Sequence, residues 1–385
     1  MKTTIIGLDL AKDYSQISYF SERTGAPETV SVSEDQDRYL IETPEDLFRT
    51  TEEAMQLGIM SMANFIRSCI SVIRPVPEMD SVYMMITMRE IRHPWINAVR
   101  DACEMLGINR DHVFLQSYRE SFFYYVMNQK RDLWSHASAL FEYEQSQISS
   151  YMMRIDYDTK QALVTVEPGL TRSLGYAAGR SQEEWNARRD EKFLELIRET
   201  FQEEHVSSTF LIGDSFDKTW AVQSLQFLCR KRHVFQGRNL YTKGACYAMC
   251  RKMGIGKNLD PYLYQSENVV ETNISIRVDV RGRLTSYMMI SAGVNWYEAE
   301  HTCEIMIGNT NQVLFYGKTM RGGEETEYTV SLKGLPERPG RTTRLEIRAA
   351  YISPKQCKVT IKDLGFGEFF PSSGKMWESI LDVEG

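Results

Sequence analysis

Two acidic residues stand two apart in the run Glu142-Tyr143-Glu144, at the end of a segment, Ala137–Tyr143, that reads as a β-strand. A spacing of two puts both carboxylates on one face of a strand. Such a pair could act as acid and base, or it could be no more than a solvated strand end. Asp9 ends the β-branched, apolar run Thr3–Leu10, where a short acidic side chain can cap or stabilise a hairpin turn. Cys246 and Cys250 lie four apart on an expected helix, with no second pair to complete a zinc site. The six histidines are scattered, and the sequence contains no HExxH, GxSxG or Walker motif. The seven cysteines form no spacing ladder, so reduced, buried thiols of a cytoplasmic protein are expected.

The 385 residues suggest two or three domains with ample core. Lys+Arg total 45 against Asp+Glu 52, a net charge of −7, which argues against a dedicated nucleic-acid or anionic-membrane binder. No apolar run reaches the roughly 20 residues of a membrane helix. The first 20 residues are too polar after Leu10 for a secretory signal.

Strands are expected at Thr3–Leu10, Ser15–Phe20 and near Arg38–Glu42, with a polar turn region over Ser21–Asp37 between the last two. Thr43-Pro44 looks like a helix start, and Met55, Ile59, Met62, Ile66, Cys69 and Ile73 mark one face of a helix over Glu52–Ile73. A buried strand, Ser81–Met88, precedes a helix over Pro94–Gly107; a short strand at Val113–Leu115 precedes a helix over Glu120–Gln129. The order then repeats: strands at Ala137–Tyr143, Gln147–Ile155 and Gln161–Glu167, a helix opened by the capping box Ser181/Glu184, a strand at Ser208–Gly213, and helices over Lys218–Arg230 and Leu240–Met253. Three strands followed by alternating helices and strands, twice over, is a duplicated ribonuclease-H-like layout with a cleft between its halves. The fold class expected is thus α/β plus all-β: halves at 1–130 and 131–256, a linker over Asp260–Glu271, a β-sandwich at 272–370 built from short alternating strands, and a tail at 371–385.

The opening Ile6–Ser18 resembles the first phosphate hairpin, G-I-D-L-G-T-T-x-S, of the actin-like ATPase superfamily, and in particular of the seventy-kilodalton heat-shock chaperones; Gly7, Asp9, Leu10, Tyr14 and Ser15 fit it. Ile86–Gly107 resembles that family's stretch in which a strand ends and a helix begins before an A-G-L, and Leu115–Val126 sits where it has its E-P-x-A-A-A helix, the interdomain connection. Leu211–Ser215 with Lys243–Cys246 resembles its adenosine motif, and Ser331–Gly340, Leu345–Ile352 and Val359–Gly367 resemble its peptide-binding sandwich. The resemblance implies ATP or ADP with Mg²⁺ as cofactor. Asp9 would be the metal-orienting carboxylate, and Lys12, Asp13, Tyr14, Gly213, Asp214, Ser215 and Gly244 would complete the nucleotide site. It also implies a sandwich that binds extended peptide, with Met288, Met289, Met306, Trp296, Phe315 and Tyr316 as groove or core residues. Phe366, Phe369 and Phe370 would pack the sandwich against the preceding half.

The departures from that pattern bear on chemistry. Phosphate hairpins use glycine because side chains block the approach of phosphate to backbone N–H groups. Here the first hairpin carries Ala11, Lys12 and Asp13. The family's D-x-G-G-G-T is matched by Glu142-Tyr143-Glu144-Gln145-Ser146-Gln147, with every glycine gone. The family's inserted lysine has no counterpart. The function expected is therefore a chaperone-like or scaffold interaction protein with a degenerate nucleotide cleft and no catalytic residue, its partner an unidentified protein or peptide. The alternatives are an active ATPase whose nucleotide state controls the sandwich, and an actin-related assembly protein.

Overall fold

The computed structural model describes residues 3–30, 40–48, 55–158, 161–175, 179, 181–202, 204–213, 216 and 220–383. The chain divides into two units, Met1–Leu263 and Tyr264–Gly385.

The first unit holds two mixed sheets. One contains β1 (Thr4–Asp9), β2 (Tyr14–Ser21), β3 (Ala26–Thr29), β5 (Val82–Met88) and β6 (Val113–Ser117) in the order β3-β2-β1-β5-β6, with β4 (Ile41–Glu42) also paired to β2. The other contains β7 (Ala137–Glu144), β8 (Gln147–Asp156), β9 (Ala162–Ser173), β10 (Val206–Ile212) and β11 (His233–Gly237) in the order β11-β10-β7-β8-β9, with β12 (Tyr262–Gln265) at the β9 edge. Numbered within each half, both sheets read 3-2-1-4-5. Strands one to three are antiparallel, and one, four and five are parallel. This is the duplicated layout expected from the sequence.

One strand differs from expectation. The third strand of the first sheet is Ala26–Thr29, inside the stretch read as a polar turn; the strand expected near Arg38–Glu42 is present as β4 (Ile41–Glu42), with 38–39 outside the described residues. Pro27 fits there because β3 is an edge strand among the described residues, where a missing N–H removes no ladder bond. Thr43, read as a helix cap, instead places its hydroxyl 2.8 Å from the Ser15 hydroxyl, and its N–H donates to the Asp13 carbonyl at 2.9 Å, tying β4 to the first hairpin.

Among the described residues these α-helices accompany the sheets: α1 (Met55–Ser71), α2 (His93–Met105), α3 (Tyr118–Met127), α4 (Gln182–Phe201), α5 (Val222–Leu228) and α6 (Leu240–Lys252). The Ser181/Glu184 capping box opens α4 as read. Two helices change sides. α6, last in the second half, buries Ala245, Cys246, Met249 and Cys250 against Ile5 of β1 and Met85 of β5. α3, last in the first half, sets Phe122 edge-on to Phe210 of β10, with ring centroids 5.6 Å apart. The two helices meet at Gly244, where an added Cβ would lie 2.0 Å from the Ser121 carbonyl oxygen. Their N-termini therefore converge between the sheets.

The second unit holds two four-stranded sheets. One is β14-β13-β16-β17, built from β13 (Thr272–Val280), β14 (Arg283–Ile290), β16 (Gln312–Thr319) and β17 (Thr326–Ser331). The other is β15-β18-β19-β20, built from β15 (Glu300–Ile307), β18 (Thr343–Ser353), β19 (Gln356–Gly365) and β20 (Met376–Asp382). Ile274, Ile276, Phe315 and Val330 of one sheet share a single buried core with Leu345, Ile347, Val359 and Ile361 of the other. The expected tail over 371–385 contains β20, whose Leu381 enters that core. Phe315, Tyr316 and Met289 are buried, while Met288 and Met306 are exposed. Phe369 is 93% exposed, and Phe366 is exposed too.

Candidate functional site

The convergence of α3 and α6 lies beneath a cleft of about 770 Å³ in the first unit. Its floor is lined by Asp9, Arg89, Tyr118, Glu142 and Tyr241, and its rim includes Lys12, Asp13, Tyr14, Glu144, Gln145 and Gly213. Asp9 is the last residue of β1, opposite Gln16 across the hairpin. Its Oδ1 accepts a hydrogen bond of 2.8 Å from the Tyr118 hydroxyl. Tyr118 is the first residue of α3, which Ser117 caps by accepting the Glu120 N–H. Arg89 follows directly on β5 and reaches across to the second half. Its guanidinium is bidentate to Glu142, with bonds of 2.9 and 3.0 Å, and bonds Glu144 at 2.9 Å. The Tyr241 hydroxyl donates to Glu142 at 3.2 Å, and the Tyr118 and Tyr241 rings stack at 4.0 Å. A residue of each half thus faces a residue of the other, twice, across the floor.

Burial sets the charges here. It raises the Asp9 carboxyl to about 7; the Tyr118 bond opposes this, the Glu142 charge adds to it and Arg89 opposes it. Burial works against the Arg89 charge, but the bonds to Glu142 and the charges of Glu142 and Glu144 outweigh it, so its pKa rises. The Tyr118 and Tyr241 hydroxyls are pushed well up by burial and by neighbouring carboxylates.

The sequence-derived site residues separate into three groups. Asp9, Lys12, Asp13, Tyr14 and Gly213 do gather on the cleft. Gly213, at φ +119°, lies so close to β7 that a Cβ would sit 2.0 Å from the Tyr143 carbonyl oxygen. Gly244 does not line the cleft; it is the contact point of α6 with α3. Asp214 and Ser215 lie outside the described residues. Glu142 and Glu144 share a face as their spacing requires, but Glu142 is buried and paired, not a solvated strand end. Arg89, Tyr118 and Tyr241 were not singled out from the sequence. The available signal was an arginine directly following a strand apolar on both faces.

The described residues of this cleft depart from what a magnesium triphosphate needs for hydrolysis. Asp9, which the resemblance would make the metal-orienting carboxylate, is buried and already bonded to Tyr118. In the first hairpin the Ala11 N–H donates to the Ser15 hydroxyl at 3.2 Å. In the second, Gln145 (φ 54°) and Ser146 (φ 112°) take the left-handed conformation that a two-residue hairpin turn demands, and both bring side chains where the family has bare backbone. Glu144 and Asp13 add charge of the same sign as phosphate. Among the described residues no group of three His, Cys, Asp or Glu side chains could hold a metal ion, all seven cysteines are free, and no helix is long and apolar enough to cross a membrane.

A duplicated mixed-sheet unit followed by two antiparallel sheets on one core defines the class. Residues 42–267 match the model of the C-terminal region of DUF5716, a family of unknown function, and the chain belongs to that family. Residues 269–383 match DUF8552, a domain of unknown function. No curated protein matches the chain. Among solved structures it is similar to a glucokinase from an Antarctic psychrotroph (8% identity, TM-score 0.39, 65% of this chain and 100% of that one). It is also similar to an inorganic polyphosphate/ATP-glucomannokinase from Arthrobacter sp. strain KM (12%, 0.37, 65% and 100%). A third is a Bacteroides thetaiotaomicron protein with an actin-like ATPase fold and unknown function (10%, 0.33, 64% and 96%).

Proposed function

We propose that the chain is an interaction protein on an actin-like frame whose cleft does not hydrolyse nucleotide. The observation that carries this reading is the commitment of the cleft's acids to protein partners: Asp9 to Tyr118, and Glu142 to Arg89 and Tyr241. Hydrolysis in such a cleft depends on positioning and on free, correctly charged groups. Asp9 and Glu142 are instead already paired within the protein, and the Arg89–Glu142 pair ties one half to the other. The second unit, read as a β-sandwich, supplies the protein-binding face, where an extended peptide would add to a sheet edge. The test is phosphate release from ATP with Mg²⁺. No release above the buffer rate is expected, in the native chain and in Asp9→Asn alike. Steady release that Asp9→Asn abolishes would overturn the proposal.

One observation favours a second reading, in which nucleotide binds and controls the second unit. Lys12 stands on the cleft rim with no partner among the described residues. Its mark would be thermal stabilisation by ATP and Mg²⁺ that Lys12→Ala removes.

A further inference from the structure

Two exposed features of the second unit have opposite charge and matching apolar character. The first is the loop between β19 and β20. A buried ion pair fixes its base: Arg338 is bidentate to Asp363, both bonds 2.8 Å, with side-chain exposures of 4% and 0%. Asp363 also accepts the Gly365 and Ser373 N–H groups, and Arg338 donates to the Pro371 carbonyl. Gly365 sits at φ +65° with no room for a Cβ, and the Phe366 N–H closes on the Phe370 carbonyl at 2.6 Å. This rigid base carries Phe366, Glu368 and Phe369 out to solvent. A buried charged network that holds an exposed phenylalanine in one place is preorganisation of the kind that makes a binding anchor.

The second feature is the β13–β14 turn. Arg281 and Gly282, both at positive φ, form its two-residue tip, and the Gly282 N–H donates to Asp279. Arg281, Arg283 and Leu284 are exposed, Leu284 to 73%. Among the described residues neither arginine side chain nor Glu368 has an ion-pair partner. Both features lie at the same end of the unit. The segment joining them contacts each: Arg341 bonds Asp279 beside the turn at 2.7 Å, and Arg338 bonds Asp363 beneath the loop.

We propose that this end of the second unit binds a second copy of the chain across a two-fold axis. The Phe366–Phe369 loop of each copy packs on Leu284 of the other, with Glu368 set against Arg281 and Arg283. A two-fold interface must be self-complementary, and a surface offering both an acidic, apolar loop and a basic, apolar turn at one end meets that condition. Like-signed features would require two different partners.

The test is sedimentation equilibrium of the full chain over a wide concentration range, with thermal melts to confirm that each variant folds. The native chain is expected to approach twice its monomer mass as concentration rises, less so in high salt. Phe369→Glu is expected to weaken self-association about tenfold or more. Glu368→Arg is expected to weaken it through repulsion, and the triple variant Glu368→Arg, Arg281→Glu, Arg283→Glu to restore it. A chain monomeric throughout would overturn the proposal. So would a dimer indifferent to Phe369→Glu, or a triple variant no better than Glu368→Arg alone.

Discussion

Asp9 holds a carboxyl that burial raises from 3.8 to about 7, with one hydroxyl as its hydrogen-bond partner. Its sign on stability follows from linkage. A raised folded-state pKa means that the folded chain keeps a proton that the unfolded chain has released. The stabilisation is complete below pH 3.8 and is lost as pH climbs to about 7. At about 1.4 kcal/mol per unit, that range is worth about 4 kcal/mol. Asp9→Asn keeps an acceptor for Tyr118 but does not titrate. Its urea-unfolding free energy should therefore exceed that of the native chain at pH 8, with the gap closing toward pH 4; a constant gap would refute the assignment. Arg89 makes a second residue-level case. Glu142 is 8% exposed and Arg89 45%, so removing the guanidinium leaves a buried carboxylate without its ion-pair partner, held by the Tyr241 hydroxyl and partly reachable by water. Arg89→Ala should lose about 2 kcal/mol, short of the full penalty for a wholly buried pair. Adding Glu142→Gln should recover most of it, measured as a double-mutant cycle in urea.

At the scale of elements, the exchanged helices α3 and α6 create the floor, and Gly244 sets their distance. Glycine to alanine inside a helix ordinarily gains about 1 kcal/mol. Here the methyl would meet the Ser121 backbone at 2.0 Å, and backbone cannot rotate away. Gly244→Ala should instead destabilise by about 3 kcal/mol and pull the Tyr118–Tyr241 stack apart, visible as a lower melting temperature and altered near-ultraviolet tyrosine dichroism. The strand and helix order was legible because hydrophobic period and caps are local signals: the apolar run before Arg89, the spaced face of α1, Ser181 with Glu184. β3 was not legible, because its Pro27 is tolerated only for the non-local reason that the strand is at the sheet edge among the described residues. The candidate site was half legible. Asp9 follows from the resemblance to a phosphate hairpin and Gly213 from the resemblance to the adenosine motif, whereas the Arg89–Glu142 pair joins residues 53 apart in sequence through packing that no local pattern encodes. Gly244 was read as a nucleotide-site glycine of the adenosine motif because a close backbone approach leaves the same mark in sequence whether the neighbour is a ligand or a helix.

At the scale of the whole chain, the two units carry buried carboxylates with opposite responses to acid. In the first unit Asp9 is raised, so that unit gains stability as pH falls from about 7. In the second, Asp363 is held far below the usual carboxylate range by Arg338, against its burial, with further help from Ser373 and Gly365. Its stabilisation is full above 3.8 and fades as pH drops below that value, when the unfolded chain takes up a proton that the folded unit resists. Each unit has its own core, so differential scanning calorimetry of the full chain should resolve two transitions. On acidification from pH 7 to about 4 the transition of the first unit should move up and that of the second should hold still on this account; below about pH 4 the second should fall. Asp363→Ala, which leaves Arg338 buried without its partner, should lower the second transition at every pH and leave the first where it was. A single transition throughout, or a shift of both under Asp363→Ala, would mean that the units unfold as one body, and the separate assignment of these two carboxylates would fail.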